Sequence, residues 1–89
     1  MVWIVEFEDK ARKQLKKLGH EPQRLVQDFI NERLKTCDDP RDLGKALRHD
    51  RSGLWRYRVD KYRIICEIRD EVLVILVIQI GKRDRVYED

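Results

Sequence analysis

The sequence predicts a small α+β domain with the element order β-α-α-β-β-β, in which a twisted sheet packs on a two-helix hairpin. The chain has only 89 residues, enough for one domain covering residues 1–89. Segments with helical periodicity come early, and strand-like segments follow one another towards the end. Helices grouped ahead of consecutive strands favour a sheet that is covered on one face.

The first half of the chain contains one predicted strand and both helices. Residues Val2–Phe7 alternate in polarity as a strand does, and Asp9 then stands at an N-cap position. The first helix ends before Gly19, and Pro22 suits the first turn of the second helix. Each helix has a mainly apolar stripe at three- and four-residue spacing: Ala11, Leu15 and Leu18 in the first, and Val26, Phe29, Ile30, Arg33, Leu34 and Cys37 in the second.

Three strands are predicted after the breaker segment CDDPRDLG: Leu54–Val59, Tyr62–Ile68 and Val72–Ile80. The last one is continuously apolar, which is typical of a central strand covered on both sides. A two-residue turn at Asp60-Lys61 joins the first two strands. That turn predicts a register in which Val59 lies opposite Tyr62 and Arg58 lies opposite Arg63.

This register divides the hairpin into two chemically different faces. Side chains alternate along a strand, so one face carries the apolar residues and packs on the helices. The other face gathers Arg56, Arg58 and Arg63. Directly opposed like charges destabilise a sheet by up to about 1 kcal/mol, so keeping Arg58 across from Arg63 indicates a function. The apolar set is Trp55, Tyr57, Val59, Tyr62, Ile64 and Cys66.

The basic residues are concentrated rather than spread along the chain. The whole sequence has 20 Lys+Arg against 17 Asp+Glu, a net charge of +3. The excess lies in residues 45–63, where basic residues far outnumber acidic ones, whereas residues 1–44 are balanced. A basic patch on a nearly neutral chain suggests an anionic partner. A solvated basic edge that discourages aggregation explains the charge equally well at this level.

Several classes of protein are excluded by the same composition. The two cysteines cannot build a disulfide scaffold, which indicates reduced thiols and a cytoplasmic protein. The start of the chain lacks the features of a secretion signal, and the run VLVILVIQI is too short to span a membrane, so we expect no membrane partner. His20, His49, Cys37 and Cys66 are not spaced as metal ligands, so no metal or other cofactor is expected.

The chemistry of the arginine cluster suits phosphate groups. Guanidinium groups bind phosphates bidentately and stay charged at physiological pH. The ending GKRDRVYED adds further cations and Tyr87, whose ring could stack on a base. A frayed, charged terminus is the alternative reading of that ending. The residues expected to bind RNA or rRNA around the cluster are Lys45, Arg48, Arg51, Lys61, Lys82 and Arg85.

The segment ALRHDRSGLWRYRVDKYRIICEI, followed by the valine/isoleucine strand and GKRDRVY, resembles the RelE-type toxins of bacterial and archaeal toxin–antitoxin systems. The resemblance covers nearly the whole chain, and the GKR…Y ending favours the RNA-cleaving RelE branch of the RelE/ParE superfamily. It implies a microbial-RNase-like fold and an endoribonuclease that cuts mRNA in the ribosomal A site. It also implies a RelB-type antitoxin, with operator DNA bound only through the toxin–antitoxin complex.

The resemblance assigns a catalytic set by motif position. Arg56 and Arg58 match two basic positions that are usually lysines, Arg63 matches the arginine of a YR motif, and Arg83 matches the arginine of GKR. Tyr87 matches the terminal tyrosine, although it follows Arg83 more closely than in the best-known members. The implied reaction is metal-independent attack by a 2′-OH on the adjacent phosphate. Arginine cannot serve as a base near neutral pH, so the first two residues are expected to position the RNA.

Two other functions remain open at this point. A ParE-like toxin would share the fold and poison DNA gyrase by binding it. A catalytically silent module would bind RNA or an antitoxin without cleaving anything. Retention of Arg63, Arg83 and Tyr87 favours the ribonuclease over the ParE-like toxin.

Overall fold

The computed structural model describes residues 2–82, so Arg83, Arg85 and Tyr87 of the predicted site lie outside the described residues. Two helices pack against a five-stranded mixed sheet. The elements are β1 (Ile4–Phe7), α1 (Asp9–Lys17), α2 (His20–Phe29), β2 (Lys45–Ala46), β3 (Leu54–Val59), β4 (Tyr62–Arg69) and β5 (Val74–Lys82).

The sheet has the strand order β1-β5-β4-β3-β2. β1 runs parallel to β5, and all the other neighbouring strands are antiparallel. The predicted α+β class and element order are confirmed, with one addition. The short strand β2 was not predicted, because two residues cannot establish a period.

The helices form where the apolar stripes predict them, but their ends differ from expectation. Asp9 is the first helical residue of α1 rather than its cap; the N-cap residue is Glu8, which makes no side-chain capping bond. An acidic residue in the first turn still favours the helix through its dipole. α2 continues into a π-helical turn at Ile30–Leu34, where the Lys35 amide donates to the Ile30 carbonyl at 2.9 Å. Neither helix is long and apolar enough to cross a lipid bilayer within the part of the chain that the structure describes.

The core lies between the two helices and one face of the sheet. Both helical stripes predicted from the sequence contribute to it, and the aromatic ring of Tyr57 is fully buried at its centre. Burial of this apolar surface is the main favourable contribution to folding. The buried core residues are Trp3, Ala11, Leu15, Val26, Ile30, Leu34, Tyr57, Ile64, Cys66, Ile75, Val77 and Ile80.

The β3–β4 hairpin has the predicted register. Val59 pairs with Tyr62 and Arg58 pairs with Arg63 across the two-residue turn. Asp60 occupies the left-handed region in this turn, with φ 54°, a conformation that aspartate tolerates better than most residues. The apolar side of the hairpin therefore packs on the helices, and the arginine side faces away from them.

β5 begins two residues later than predicted, because Asp70–Val72 form a 3₁₀ turn. The strand lies between β1 and β4, but the helices cover only the face that carries Ile75, Val77 and Ile80. An irregularity opposite Ile65 and Cys66 shifts the register by one residue. This shift changes which residues of β5 face the core. The run shows no alternation because residues on both faces of the strand are apolar.

Candidate functional site

The three arginines predicted to gather on one side of the hairpin do lie on one face of the sheet. We call this side, opposite the helices, the arginine face; it carries Arg56, Arg58 and Arg63. Arg58 stands directly opposite Arg63, and Arg56 stands opposite Ile65 on the neighbouring strand. Directly opposed side chains have Cβ atoms about 4.5–5.5 Å apart, so the Arg58 and Arg63 side chains start next to each other on this face.

β2 adds a second pair of opposed cations next to the first. Lys45 pairs with Arg56, so its side chain belongs to the arginine face. A shallow cavity of about 180 Å³ opens here, lined by Leu43, Gly44, Lys45, Arg56 and Arg58. Three cations, Lys45, Arg56 and Arg58, therefore border a cavity in which an anion can accept charge-assisted hydrogen bonds.

Two of these arginines are buried to a degree that is rare for charged residues. Arg63 is 3% exposed and Arg56 is 8% exposed, whereas Arg58 is exposed. A charge in partly desolvated surroundings interacts more strongly with a ligand than the same charge in water. The arginine face therefore combines two buried guanidinium groups with an exposed one.

Gly44 allows β2 to approach β3 closely enough for this pairing. A Cβ at this position would lie 2.6 Å from the carbonyl oxygen of Arg56 and 2.8 Å from the Tyr57 ring. No side chain fits in that space without moving the strand. The glycine thus positions Lys45 opposite Arg56.

The structure places the remaining predicted RNA-binding residues among residues 2–82 in a loop, in a turn and on β5. Arg51 lies in the β2–β3 loop, and its Nη2 donates to Oε1 of Gln79 on β5 at 3.1 Å. Arg48 in the same loop and Lys61 in the β3–β4 turn are exposed. Lys82 pairs with Tyr62, so the register directs it to the helix side of the sheet, away from the arginine face. Sequence reasoning missed Gln79, because nothing local relates it to a loop 28 residues earlier.

Neither of the buried groups beneath the arginine face can exchange a proton near neutral pH. Burial raises the pKa of the Tyr57 hydroxyl, which donates to the Pro40 carbonyl at 2.9 Å. Burial also raises the pKa of the Cys66 thiol. Glu67 lies on the arginine side of β4, two residues beyond Ile65, and its carboxylate accepts a hydrogen bond from Arg69 Nε at 2.6 Å. Among residues 2–82, no three His, Cys, Asp or Glu side chains cluster as metal ligands would.

A larger cavity, of about 330 Å³, lies on the other side of the sheet. It runs between β1 and the two helices, and we call it the helix-side groove. Its floor is apolar and its rim carries three cations. The residues concerned are Val5, Phe7, Leu15 and Ile30 in the floor and Arg12, Lys16 and Lys35 at the rim.

Comparison with known proteins assigns the chain to a family. The sequence model of the family described as "ParE toxin of type II toxin-antitoxin system, parDE" matches residues 5–87. The chain belongs to the RelE/ParE superfamily of toxins. It is 30% identical over 91 residues to the mRNA interferase toxin RelE of Escherichia coli strain K12, covering 96% of this chain and 87% of that protein. A RelE-like toxin protein of Escherichia coli is 31% identical over 86 residues, with the same shares of the two chains covered.

Solved structures of such toxins share the fold of this one. The RelBE2 toxin–antitoxin complex of Mycobacterium tuberculosis contains a chain with a TM-score of 0.85 and 28% identity, covering 93% of this toxin and all of that chain. The isolated RelE toxin of Escherichia coli has a TM-score of 0.74 at 22% identity, covering 94% and 87% of the two chains. The microbial-RNase-like fold implied by the sequence motifs is therefore confirmed.

Proposed function

We propose that this toxin is an endoribonuclease that cleaves mRNA in the A site of the ribosome and so inhibits translation. The observation that carries the proposal is the pair Arg58–Arg63 beside the pair Lys45–Arg56 on the arginine face. Guanidinium groups that lie side by side can each form charge-assisted hydrogen bonds to an anion bound among them. The RNA backbone is the polyanion that suits a row of guanidinium groups. A relative named mRNA interferase supports the same substrate.

The reaction we propose is attack by a ribose 2′-OH on its adjacent phosphate. The O2′–P bond forms and the P–O5′ bond breaks, which leaves a 2′,3′-cyclic phosphate and a 5′-OH. The 2′-OH proton passes to a base, and the departing 5′ oxygen receives a proton. The step balances without a metal or another cofactor.

The site residues have different roles in this proposal. Arg63 would stabilise the negative charge that develops on the phosphorane, since it is the most buried cation of the arginine face. Arg56 and Arg58 would hold the flanking phosphates. Arg83 would assist the leaving oxygen, and Tyr87 would orient the nucleotide and accept the 2′-OH proton. These last two roles come from the sequence motif alone.

Dependence on the ribosome follows from the groups available. The four cations at the proposed phosphate site, Lys45, Arg56, Arg58 and Arg63, are ammonium and guanidinium groups, which do not act as bases at pH 7. A phenol such as Tyr87 has an ordinary pKa near 10, which surrounding cations lower. We therefore expect slow cleavage of free RNA, with the ribosome presenting mRNA in a reactive geometry.

The test is cleavage of a defined mRNA by the purified toxin, with and without programmed ribosomes, read by primer extension. We expect cuts within the A-site codon on ribosomes and little cleavage of the free mRNA. Absence of cleavage on ribosomes would refute the proposal. In cells, the variant with both Arg63→Gln and Arg83→Gln should no longer arrest growth, and continued toxicity would show that the site is misassigned.

We also propose a RelB-type antitoxin as the protein partner, since related toxins were solved in complex with RelB. The helix-side groove supports this proposal: its apolar floor and cationic rim suit an acidic, amphipathic segment. Co-expression with the antitoxin encoded beside the toxin gene tests it. Lys16→Glu with Lys35→Glu should weaken neutralisation, whereas the matched change of Lys10 and Lys13 to Glu should not.

Gyrase inhibition is a second candidate function, because the matching family model is that of ParE toxins. A toxin of this kind would act by binding a protein rather than by cleaving RNA. A DNA supercoiling assay run beside the ribosome assay separates the two functions. Inhibited supercoiling without mRNA cleavage would favour the gyrase inhibitor.

A further inference from the structure

The β2–β3 loop, residues 47–53, crosses the arginine face instead of following the edge of the sheet. At its base, Leu47 and Leu54 pack on Ile65, which is fully buried on β4. The Leu47 amide also donates to the Leu54 carbonyl at 2.9 Å. From this base the loop reaches β5, where Arg51 Nη2 donates to Gln79 Oε1 at 3.1 Å. β2 and β5 are separated by β3 and β4, which is three interstrand spacings or about 14 Å, and the loop together with the Arg51 and Gln79 side chains bridges that distance.

The register places this contact within the proposed RNA site. Gln79 pairs with Ile65, Ile65 pairs with Arg56, and Arg56 pairs with Lys45, so these residues form one row across the arginine face. The next row contains Gly81, Arg63 and Arg58. Gln79 is therefore a diagonal neighbour of Arg63, at a spacing of about 7–8 Å. Gly81 brings no side chain between them.

We propose that Gln79 is a positioning residue that holds the Arg51 guanidinium over the arginine face, where Arg51 binds an RNA phosphate next to the one that Arg63 contacts. The inference rests on the proposed ribonuclease function and extends it. It assigns a role to a residue on β5 that the sequence motifs did not mark.

The chemistry of the acceptor supports a role in binding an anion. A glutamine oxygen is neutral, so it orients a guanidinium without cancelling its charge. A carboxylate at the same position would form an ion pair and neutralise the site. The loop is already attached to the sheet by the apolar contacts of Leu47 and Leu54 with Ile65, so the Arg51–Gln79 bond is not needed to hold the loop there.

A double-mutant cycle tests the inference on ribosomes programmed with a defined mRNA. Single-turnover cleavage is measured against toxin concentration at several salt concentrations, for wild type, Gln79→Leu, Arg51→Gln and the double variant. We expect Gln79→Leu and Arg51→Gln each to raise the half-saturating concentration about 3- to 10-fold and to lower the slope of log affinity against log salt by about 1. The maximal rate should stay within about threefold.

The cycle also separates positioning from a merely structural role. The double variant should be no weaker than Arg51→Gln alone, because Gln79 acts through Arg51. Gln79→Glu should keep the hydrogen bond and the melting temperature, but its slope of log affinity against log salt should still fall by about 1. Additive losses in the double variant, or a wild-type salt slope in Gln79→Glu, would overturn the inference.

Failure of this inference and failure of the proposed function give different results. If wild type does not cleave mRNA on ribosomes, the ribonuclease proposal and this inference fall together. If wild type cleaves and Gln79→Leu behaves like it at every salt concentration, only the role of Gln79 is refuted.

Discussion

Arg63 combines a permanent charge with nearly complete burial, and it faces a second arginine, Arg58, across the hairpin. Removing a buried cation that faces developing negative charge typically costs two to three orders of magnitude in rate. Lysine keeps the charge but loses the planar, bidentate geometry of a guanidinium. The two substitutions therefore separate charge from geometry at one position.

Arg63→Gln should lower single-turnover cleavage on ribosomes by about 10²- to 10³-fold, and Arg63→Lys by a smaller factor. Thermal unfolding of both variants serves as the control for folding. Wild-type cleavage by a folded Arg63→Gln variant would contradict the role given to this residue.

Tyr57 lies on the opposite face of the same strand and has a structural role. Its hydroxyl donates to the Pro40 carbonyl at 2.9 Å within the core. Tyr57→Phe leaves that carbonyl without this donor and should lower the free energy of unfolding by about 1–3 kcal/mol. Cleavage at a temperature where the variant is folded should stay unchanged, and its pH–rate profile should match wild type.

Tyr87→Phe is the informative contrast to Tyr57→Phe, since Tyr87 is the proposed proton acceptor.

The positions of Arg56, Arg58 and Arg63 were predictable, because period-two alternation and a two-residue turn determine which residues face each other. The contact of Arg51 with Gln79 was not predictable from the sequence, since it joins a loop to a strand that is distant in the chain.

Arg41 connects the 3₁₀ turn Pro40–Leu43 to the β4–β5 turn. It donates to Asp70 in the β4–β5 turn, with Nη1–Oδ1 3.1 Å and Nη2–Oδ2 2.5 Å, and to Asp39 at 3.2 Å. Its guanidinium carbon also lies 6.0 Å from the centre of the Trp55 ring. These contacts join the segment after α2 to the end of the sheet where β4 turns into β5.

Hydrogen bonds from Arg41 lower the pKa of Asp70 below its ordinary value of 3.8. A lowered pKa in the folded state stabilises the protein above the unfolded-state pKa, and this contribution is lost as the pH falls through the folded-state pKa. Unfolding measured from pH 5 down to about pH 2 should therefore show a weaker acid dependence for Asp70→Asn than for wild type. Glu71→Gln, a change in the same turn, is the control and should follow wild type. Identical curves for Asp70→Asn and wild type would contradict the linkage.

Substitution of Gly44 tests the close approach of β2 to β3, which this glycine permits. In Gly44→Ala the added methyl group would overlap the Arg56 carbonyl and the Tyr57 ring. We expect a loss of about 1–3 kcal/mol in the free energy of unfolding and weaker RNA binding, since Lys45 moves away from Arg56. Gly19→Ala is the matched control: its Cβ would meet Pro22 at an ordinary 3.6 Å. Equal stability of the two variants would show that the close approach is unimportant.

The elements that the sequence predicted well are those with long periodic patterns. The stripes of α1 and α2 and the β3–β4 hairpin follow directly from spacing and turn chemistry. The strand β2 is too short to show a pattern. The register shift opposite Ile65 and Cys66 changes which residues of β5 face the core, and the sequence does not reveal this shift. The N-cap of α1 was misplaced by one residue, since acidic residues at 8 and 9 offer two possible starts.

Across the whole molecule, the sheet separates two surfaces with different chemistry. One side carries the arginine face, and the other carries the helices with the helix-side groove. The net charge of +3 would suit many small proteins, but the basic excess of residues 45–63 is concentrated on and around one face. An antitoxin seated in the groove would have to pass around a sheet edge to cover the arginine face as well.

The ribonuclease activity that we propose for this toxin depends on clustered arginines rather than on total charge. The most direct test compares two variants that each lose two positive charges: Arg58→Gln with Arg63→Gln on the arginine face, and Lys10→Gln with Lys13→Gln on exposed positions of α1. Single-turnover cleavage of a defined mRNA on programmed ribosomes is the measurement. We predict a loss of at least about 10²-fold for the arginine pair and a change of less than about threefold for the lysine pair. Equal losses in the two variants, or full activity of the arginine variant, would contradict the account.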